Sequence, residues 1–264
     1  MNKVQKWAAA TTAALAVTTI GFAPAVSAAT TVVVTPSNEQ GWTRAATTAG
    51  GSVDFVSDST APAGAGALRL ATDVTTTAKA QYMHAANTPI AEVTDLSYHS
   101  KQVSASFAGG APSYQLPVML NGTAGFTTFV FEPYQNGTVV PGAWQQWDVD
   151  ADQFWSSRTV TCSNGGVVAG GGGAPFYTLE QIRTMCPEAI VVGFGVNIGS
   201  NNPSYEVLAD LVTFNDVTYN FEPALKPSNK DACKDGGWMA FNSPTFKNQG
   251  DCVSSVASKG RSDN

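Results

Sequence analysis

Short β-rich runs broken by turn residues constrain the fold of this chain more than any other feature. Thr31–Val34, Ser52–Val56, Ala67–Thr72, Leu96–Val103, Leu116–Leu120, Thr127–Glu132, Trp144–Val149, Ile190–Ile198, Leu208–Phe214 and Val217–Phe221 are rich in β-branched, aromatic and leucine side chains. Gly, Pro, Asn or Ser clusters stand between them, as strand boundaries require. One helix is predicted, at Thr178–Met185, where Thr178 caps the start and Pro187 follows the end. This pattern predicts an all-β chain folded as an antiparallel β-sandwich. The segment "NGGVVAGGGGAP" (164–175) is expected to be a mobile surface loop that adds nothing to the core.

The first residues predict export. Lys3 and Lys6 precede an uncharged run, Ala8–Val26, that ends in Val26-Ser27-Ala28, a small-residue cleavage pattern. The mature chain is expected to start at Ala29, secreted or held at the cell wall. No later stretch is long and apolar enough to insert in a membrane. Residues 29–225 carry six basic and sixteen acidic side chains, a net of −10. Such a surface repels nucleic acid, whose phosphates demand basic groups. The four cysteines, Cys162, Cys186, Cys233 and Cys252, predict disulfides in an exported chain, three connectivities being open. Local pairing, 162–186 and 233–252, keeps each bridge within one module. A zinc site would need close cysteine spacing or a nearby histidine, and His84 and His99 both lie in the other half of the chain.

A series of segments carries a resemblance: "APAGAGALRLAT" (61–72), "IAEVTDLSYHS" (90–100), "LPVMLNG" (116–122), "FVFEPYQNG" (129–137), "GAWQQWDVDADQFW" (142–155), "CPEAIVVGFGVNIGS" (186–200) and "VLADLVTFNDVTYNFE" (207–222). In this order they resemble the jelly-roll domains of secreted actinobacterial proteins, which look similar to carbohydrate-binding modules. The resemblance implies a jelly roll over residues 29–222 and a mostly non-catalytic role. "KDACKDGGWMAFNSPTFKNQGDCVSSVAS" (230–258) resembles a short two-cysteine module at the C-terminus of many secreted actinobacterial proteins. The expected division is a leader over 1–28, the sandwich over 29–222, a linker over 223–229, and a disulfide-closed appendage over 230–264.

Alternation along the strands nominates binding residues. In "GAWQQWDVDADQFWSSR" (142–158), Trp147, Val149 and Ala151 share one face, while Gln146, Asp148 and Asp150 share the other. The first set is expected in the core and the acids in solvent. Trp144 follows a Pro-Gly turn on the polar side, where it is either a flat face for a sugar ring or a rim residue capping the sandwich. In "IVVGFGVNIGS", Ile190, Val192, Phe194, Val196 and Ile198 are expected to form one apolar face. Gly193, Gly195 and Asn197 lie opposite. They form either a groove floor or a place where glycine relieves crowding from a neighbouring strand. Loops carrying Tyr134, Tyr177 and Tyr205 are the next candidates for ligand contact.

Asp210 shares parity with Leu208, Val212 and Phe214, which predicts an inward carboxylate. A buried carboxylate must be paired, hydrogen-bonded or bound to a cation. A structural Ca²⁺ held by Asp210 with Glu39 is one expectation, and hydrogen bonding to backbone amides the other. Catalysis has little support. Glu132 and Glu206 are candidate acids, but no spacing joins either to a second carboxylate as glycoside hydrolysis requires. There is no G-x-S-x-G elbow for a serine nucleophile. The reading is a secreted, non-catalytic binder of an extracellular glycan or cell-surface polymer. The alternatives are an envelope interaction module and a glycan-active hydrolase.

Overall fold

The structure, a computed structural model, describes residues 29–242 and 244–259, so the leader expected over 1–28 lies outside the described residues. The strands in chain order are β1 Thr30–Val34, β2 Trp42–Thr43, β3 Gly51–Ser57, β4 Gly66–Thr72, β5 Ala80–Pro89, β6 Leu96–Ser104, β7 Ser113–Asn121 and β8 Ala124–Phe131. They continue with β9 Trp144–Asp148, β10 Phe154–Ser156, β11 Val160–Thr161, β12 Val167–Val168, β13 Phe176–Tyr177, β14 Ile190–Ile198, β15 Glu206–Phe214 and β16 Val217–Phe221. The helices are α1 Pro133–Asn136, α2 Leu179–Met185 and α3 Gln249–Lys259. None of the described helices is long and apolar enough to cross a membrane.

Two sheets face each other as a jelly-roll sandwich. One runs β13-β10-β8-β7-β14-β5-β2, entirely antiparallel. The other runs β9-β6-β15. The far edge of β15 is divided between β4, with β3 beyond it, and β16, with β1 beyond it in parallel. Tyr82, Tyr114, Leu116, Phe129 and Phe131 of one sheet pack against Leu68, Leu70, Leu96, Tyr98 and Phe221 of the other, all without solvent exposure. Each such burial contributes about 1.5–3 kcal/mol. The Tyr114 hydroxyl donates to the Thr213 carbonyl at 2.9 Å, so the gap between sheets is tied by a satisfied polar group. Trp147 is buried as expected, and its indole N–H donates to Ser100 Oγ at 2.8 Å.

Several expectations need correction. Ala151 is exposed because β9 ends at Asp148 and the chain turns. The glycine-rich segment is not wholly outside the core. Val168 is fully buried, β12 pairs with β11, and the Ala169 N–H donates to the Tyr177 hydroxyl at 2.8 Å. The Cys162–Cys186 bridge pins one end of this segment to the end of α2. The apolar face of β14 is broken. Val191 pairs with Val118 but Gly195 pairs with Gln115, so β14 carries one residue more than β7 over this stretch. That bulge reverses parity. Val191, Phe194, Val196 and Ile198 belong to the core, while Ile190 and Val192 are only half-buried. β5 was not anticipated. Its "AQYMHAANTP" has weak β propensity, yet it pairs with both β14 and β2.

A second bulge governs Asp210. The residue lies opposite His99, whereas Thr213 lies opposite Ser97, so β15 again has one residue extra. Leu211, at φ +49°, takes the left-handed turn that makes this shift. Val207 and Ala209 therefore face the core on one side of the bulge, and Val212 and Phe214 on the other. Asp210 does not share their face. It stands where β4 leaves β15 and β16 joins it, fully buried, and its Oδ1 accepts the Phe221 N–H at 2.9 Å. The carboxylate replaces ladder bonds that the divided edge cannot make. Oδ2 is buried with no hydrogen-bond partner.

Burial pushes the Asp210 carboxyl up to about 7, against the N–H groups of Phe221 and Leu211 and with help from nearby Glu222. A folded-state value above the unfolded one means this stabilisation is complete below about pH 4 and is lost as pH rises through about 7. The predicted loss is on the order of 4 kcal/mol. Asp210→Asn keeps the acceptor for Phe221 and removes the titration. Urea unfolding from pH 4 to 8 should show a flatter stability profile for the variant, whereas parallel profiles would contradict the assignment.

The tail is built differently. Its bridge, Cys233–Cys252, joins residues 19 apart, and those two cysteines are its only buried residues among positions 226–258 that are described. Phe241 and Phe246 meet edge to face at 6.2 Å, and Trp238 is half-buried. α3 was not expected from the sequence. The Asn242 side chain donates to the Pro223 carbonyl at 2.8 Å and accepts the Leu225 N–H at 2.8 Å, folding the tail back on the residues after β16. Closing such a loop contributes about 3 kcal/mol in the chain-entropy model. Cys233→Ser with Cys252→Ser should open residues 230–259 to limited proteolysis while the sandwich's Tm moves by less than about 2 °C, a shift worth no more than about 1 kcal/mol in a domain of this size.

Candidate functional site

Three chain segments meet at one end of the sandwich and enclose a pocket of about 290 Å³. The loop from β6 to β7 supplies Ser106, Phe107, Gly109, Gly110 and, at its end, Ser113. The end of β8 and the start of α1 supply Glu132 and Tyr134. The end of β14 and the loop to β15 supply Asn197, Asn201, Asn202 and Tyr205.

Each segment is held by buried polar groups, some local and some brought in from distant strands. Gln102 at the end of β6 is buried, and its amide N–H₂ donates to the carbonyls of Ala108 at 3.1 Å and Gly110 at 2.6 Å. Tyr98 donates its buried hydroxyl to the Pro112 carbonyl at 2.5 Å. The glycines are needed because rings crowd this loop. A Cβ at Gly110 would stand 2.7 Å from the Tyr205 ring, and one at Gly109 would stand 2.7 Å from Phe107. On the opposite wall, Thr72 Oγ1 donates to the Asn202 carbonyl at 2.5 Å and accepts the Tyr205 N–H at 3.1 Å. Asn197 donates to Gln81 Oε1 at 3.1 Å, and its own carbonyl accepts from Ser113 at 3.2 Å.

The result joins exposed aromatic faces to a carboxyl group. Phe107 is 51% exposed and Tyr134 46%, and the two rings meet edge to face at 5.3 Å. Burial pushes the Glu132 carboxyl up to about 7, against an opposing pull from Trp155. Burial also raises the Tyr205 hydroxyl, and the negative charge of Glu132 adds to that rise. Among the described residues, no Lys, Arg or His lines the pocket. Aromatic walls suit the flat apolar face of a sugar ring, and the amides, hydroxyls and carboxyl suit its hydroxyl groups.

Of the residues nominated from sequence, the fold brings Asn197, Tyr134 and Tyr205 together here. Trp144 is on β9, outside the pocket, with the Lys101 ammonium 5.9 Å from its ring centre. Gly193 and Gly195 are buried against β5. A Cβ at Gly195 would approach the Tyr82 carbonyl oxygen to 2.2 Å, so glycine there answers the close approach of a neighbouring strand. Tyr177 is buried beside α2, with its hydroxyl on the Ala169 backbone. Glu39 accepts from the Tyr82 hydroxyl at 3.0 Å and pairs with Arg44 at 3.1 Å, and Asp210 bonds the Phe221 amide. Among the described residues no group of three or more His, Cys, Asp or Glu is placed to hold a metal ion. The sequence does not single out Phe107, Asn201 or Asn202, and it marks Glu132 only as an acid without a partner. The available signal was a lone acid ending the apolar run "FVFE", followed by Pro-Tyr.

No family model matches the chain, and no curated protein sequence matches it. Solved structures give likenesses of fold. A family 11 carbohydrate-binding module of the cellulosomal cellulase Lic26A-Cel5E of Clostridium thermocellum is 11% identical, covering 66% of this chain and 87% of that one, with a TM-score of 0.40. A family 11 module from Clostridium thermocellum in complex with a β-1,3-1,4-mixed-linked tetrasaccharide is 12% identical, covering 69% and 91%, also at 0.40. Peanut lectin with a nine-residue peptide is 12% identical, covering 60% and 88%, at 0.29.

Gln102→Leu tests how the pocket is held. Loss of its donors to the β6–β7 loop should cost about 1–3 kcal/mol. Hydrogen exchange should quicken at residues 105–112 and not in β14. Unchanged exchange in that loop would show that the ring contacts alone fix it.

Proposed function

We propose that the mature chain is an exported, non-catalytic glycan-binding protein whose binding site is the pocket at the end of the sandwich. The observation that carries this reading is the joining of exposed Phe107 and Tyr134 rings to the Asn197, Asn202 and Glu132 polar groups around one small cavity. At about 290 Å³ it falls at the low end of small-molecule pockets, which span roughly 300–1,000 Å³. It suits one sugar residue, so the ligand is the end of a glycan rather than the middle of a chain. Two disulfides fit an oxidising environment outside the cytoplasm.

Binding is favoured over hydrolysis because Glu132 is the only carboxylate among the described residues that line the pocket. Glycoside hydrolysis ordinarily needs two, flanking the scissile bond. A glycan array followed by calorimetry tests the reading. Tyr134→Ala and Phe107→Ala should each weaken binding by about 1 kcal/mol, roughly fivefold, with Tm little changed. Trp144→Ala should leave affinity unaltered. Binding lost with Trp144 but kept with Tyr134→Ala would move the site to the outer face of β9.

A further inference from the structure

We propose that the end pocket selects a sugar bearing a free, protonated amino group, with Glu132 as the specificity-determining residue. This inference rests on the glycan-binding reading and narrows its ligand class.

Charge accounting leads to it. Among the described residues, Glu132 is the only acid lining the pocket, and no basic side chain accompanies it. Six basic residues lie within 29–225. Arg44 pairs with Glu39, Arg69 with Glu206 and Asp54, and Lys101 with Asp58. Arg183 donates to the Ile90 and Val93 carbonyls, Arg158 lies over Phe126, and Lys79 does not line the pocket. The Glu132 carboxyl is thus half-buried, hydrogen-bonded by the Trp155 side chain, and has no cation of its own beside it. A ligand ammonium would supply one.

The walls favour the same charge. The faces of aromatic rings attract cations through their quadrupoles, and Phe107, Tyr134 and Tyr205 all border this cavity. A neutral sugar would still find hydrogen bonds here, to the protonated carboxyl among others, but would bring no charge to pair with the carboxylate. N-acetylation would remove the ligand charge and add bulk to a small cavity.

The groups facing Glu132 are Tyr98 from β6, Tyr134 from α1, Trp155 from β10 and Tyr205 from the loop before β15. None is a cation. Near pH 6 the carboxyl is largely protonated in the free protein, since burial holds it at about 7. Pairing with an ammonium requires the carboxylate, so binding at that pH should release close to one proton.

Calorimetry of the mature chain with the methyl glycosides of glucosamine, N-acetylglucosamine and glucose, and of their galacto epimers, tests this directly. An amino sugar should bind at least tenfold more tightly than its acetylated and hydroxyl counterparts. Its heat at pH 6 should vary with the buffer's ionisation enthalpy, and its affinity should fall with salt. Glu132→Gln, checked for an unchanged melting curve, should erase the preference and the proton release while keeping weak neutral-sugar binding. Neutral sugars binding as tightly as the amino sugar, or a preference that survives Glu132→Gln, would overturn the inference and leave the glycan reading standing. No binding by any of these sugars, or by the array, would overturn both.

Discussion

One strand has to satisfy two different neighbours along a single edge, and the sandwich depends on how it does so. β15 gives residues 206–209 to β4 and residues 212–214 to β16, which leaves backbone groups unmatched at the division. Buried backbone groups without partners are costly, so the gap must be filled. Asp210 fills it, accepting the Phe221 amide, with the Leu211 turn displacing the strand by one residue. A side chain there must be short, an acceptor and tolerant of burial. The raised affinity of Asp210 for its proton measures what that position costs. The pocket depends on the same division. The β4 branch ends in Thr72, and Thr72 holds both Asn202 and Tyr205 on the pocket's wall.

The strands were legible because each writes its own local pattern. β3, β4, β6, β14, β15 and β16 sit within a residue or two of where turn chemistry and β-rich composition place them. α2 carries its predicted cap, Thr178 accepting from the Gln181 amide at 3.3 Å with Gln181 bonding back at 2.9 Å. β5 was illegible because its identity comes from neighbours. Ala, His and Asn have little strand preference, and only pairing with β14 and β2 makes them a strand. Side-chain direction failed in β14 and β15 for one reason. A bulge shifts every later residue to the opposite face, and nothing in "IVVGFGV" or "LADLVTF" marks the extra residue unambiguously.

The site was half legible for a different reason. Tyr134, Asn197 and Tyr205 could be nominated singly as aromatic or amide groups near strand ends. Their meeting with Phe107 and Glu132 requires loops from three parts of the chain, which no local spacing encodes. The attractive local candidates were taken by structure. Trp144 has Lys101 against its ring, and Gly193 and Gly195 admit the backbone of β5. Where a residue type can serve either packing or binding, the neighbouring strand decides, and that neighbour is remote in sequence.

The faces of the sandwich and its end differ in what occupies them. The outer face of the divided sheet is laced by Arg69 with Glu206 and Asp54, and by Lys101 with Asp58 at 2.7 Å. On the other sheet, Met83 and Pro117 lie over the glycines of β14 and leave no open trough there. At the end, the loops expose Phe107 and Tyr134 instead. The acid excess over residues 29–225, sixteen against six, adds a long-range preference. It repels polyanions and raises the local concentration of cations, within a screening length of about 8 Å at physiological salt. At the pocket that bias meets Glu132, which has no basic side chain beside it among the described residues.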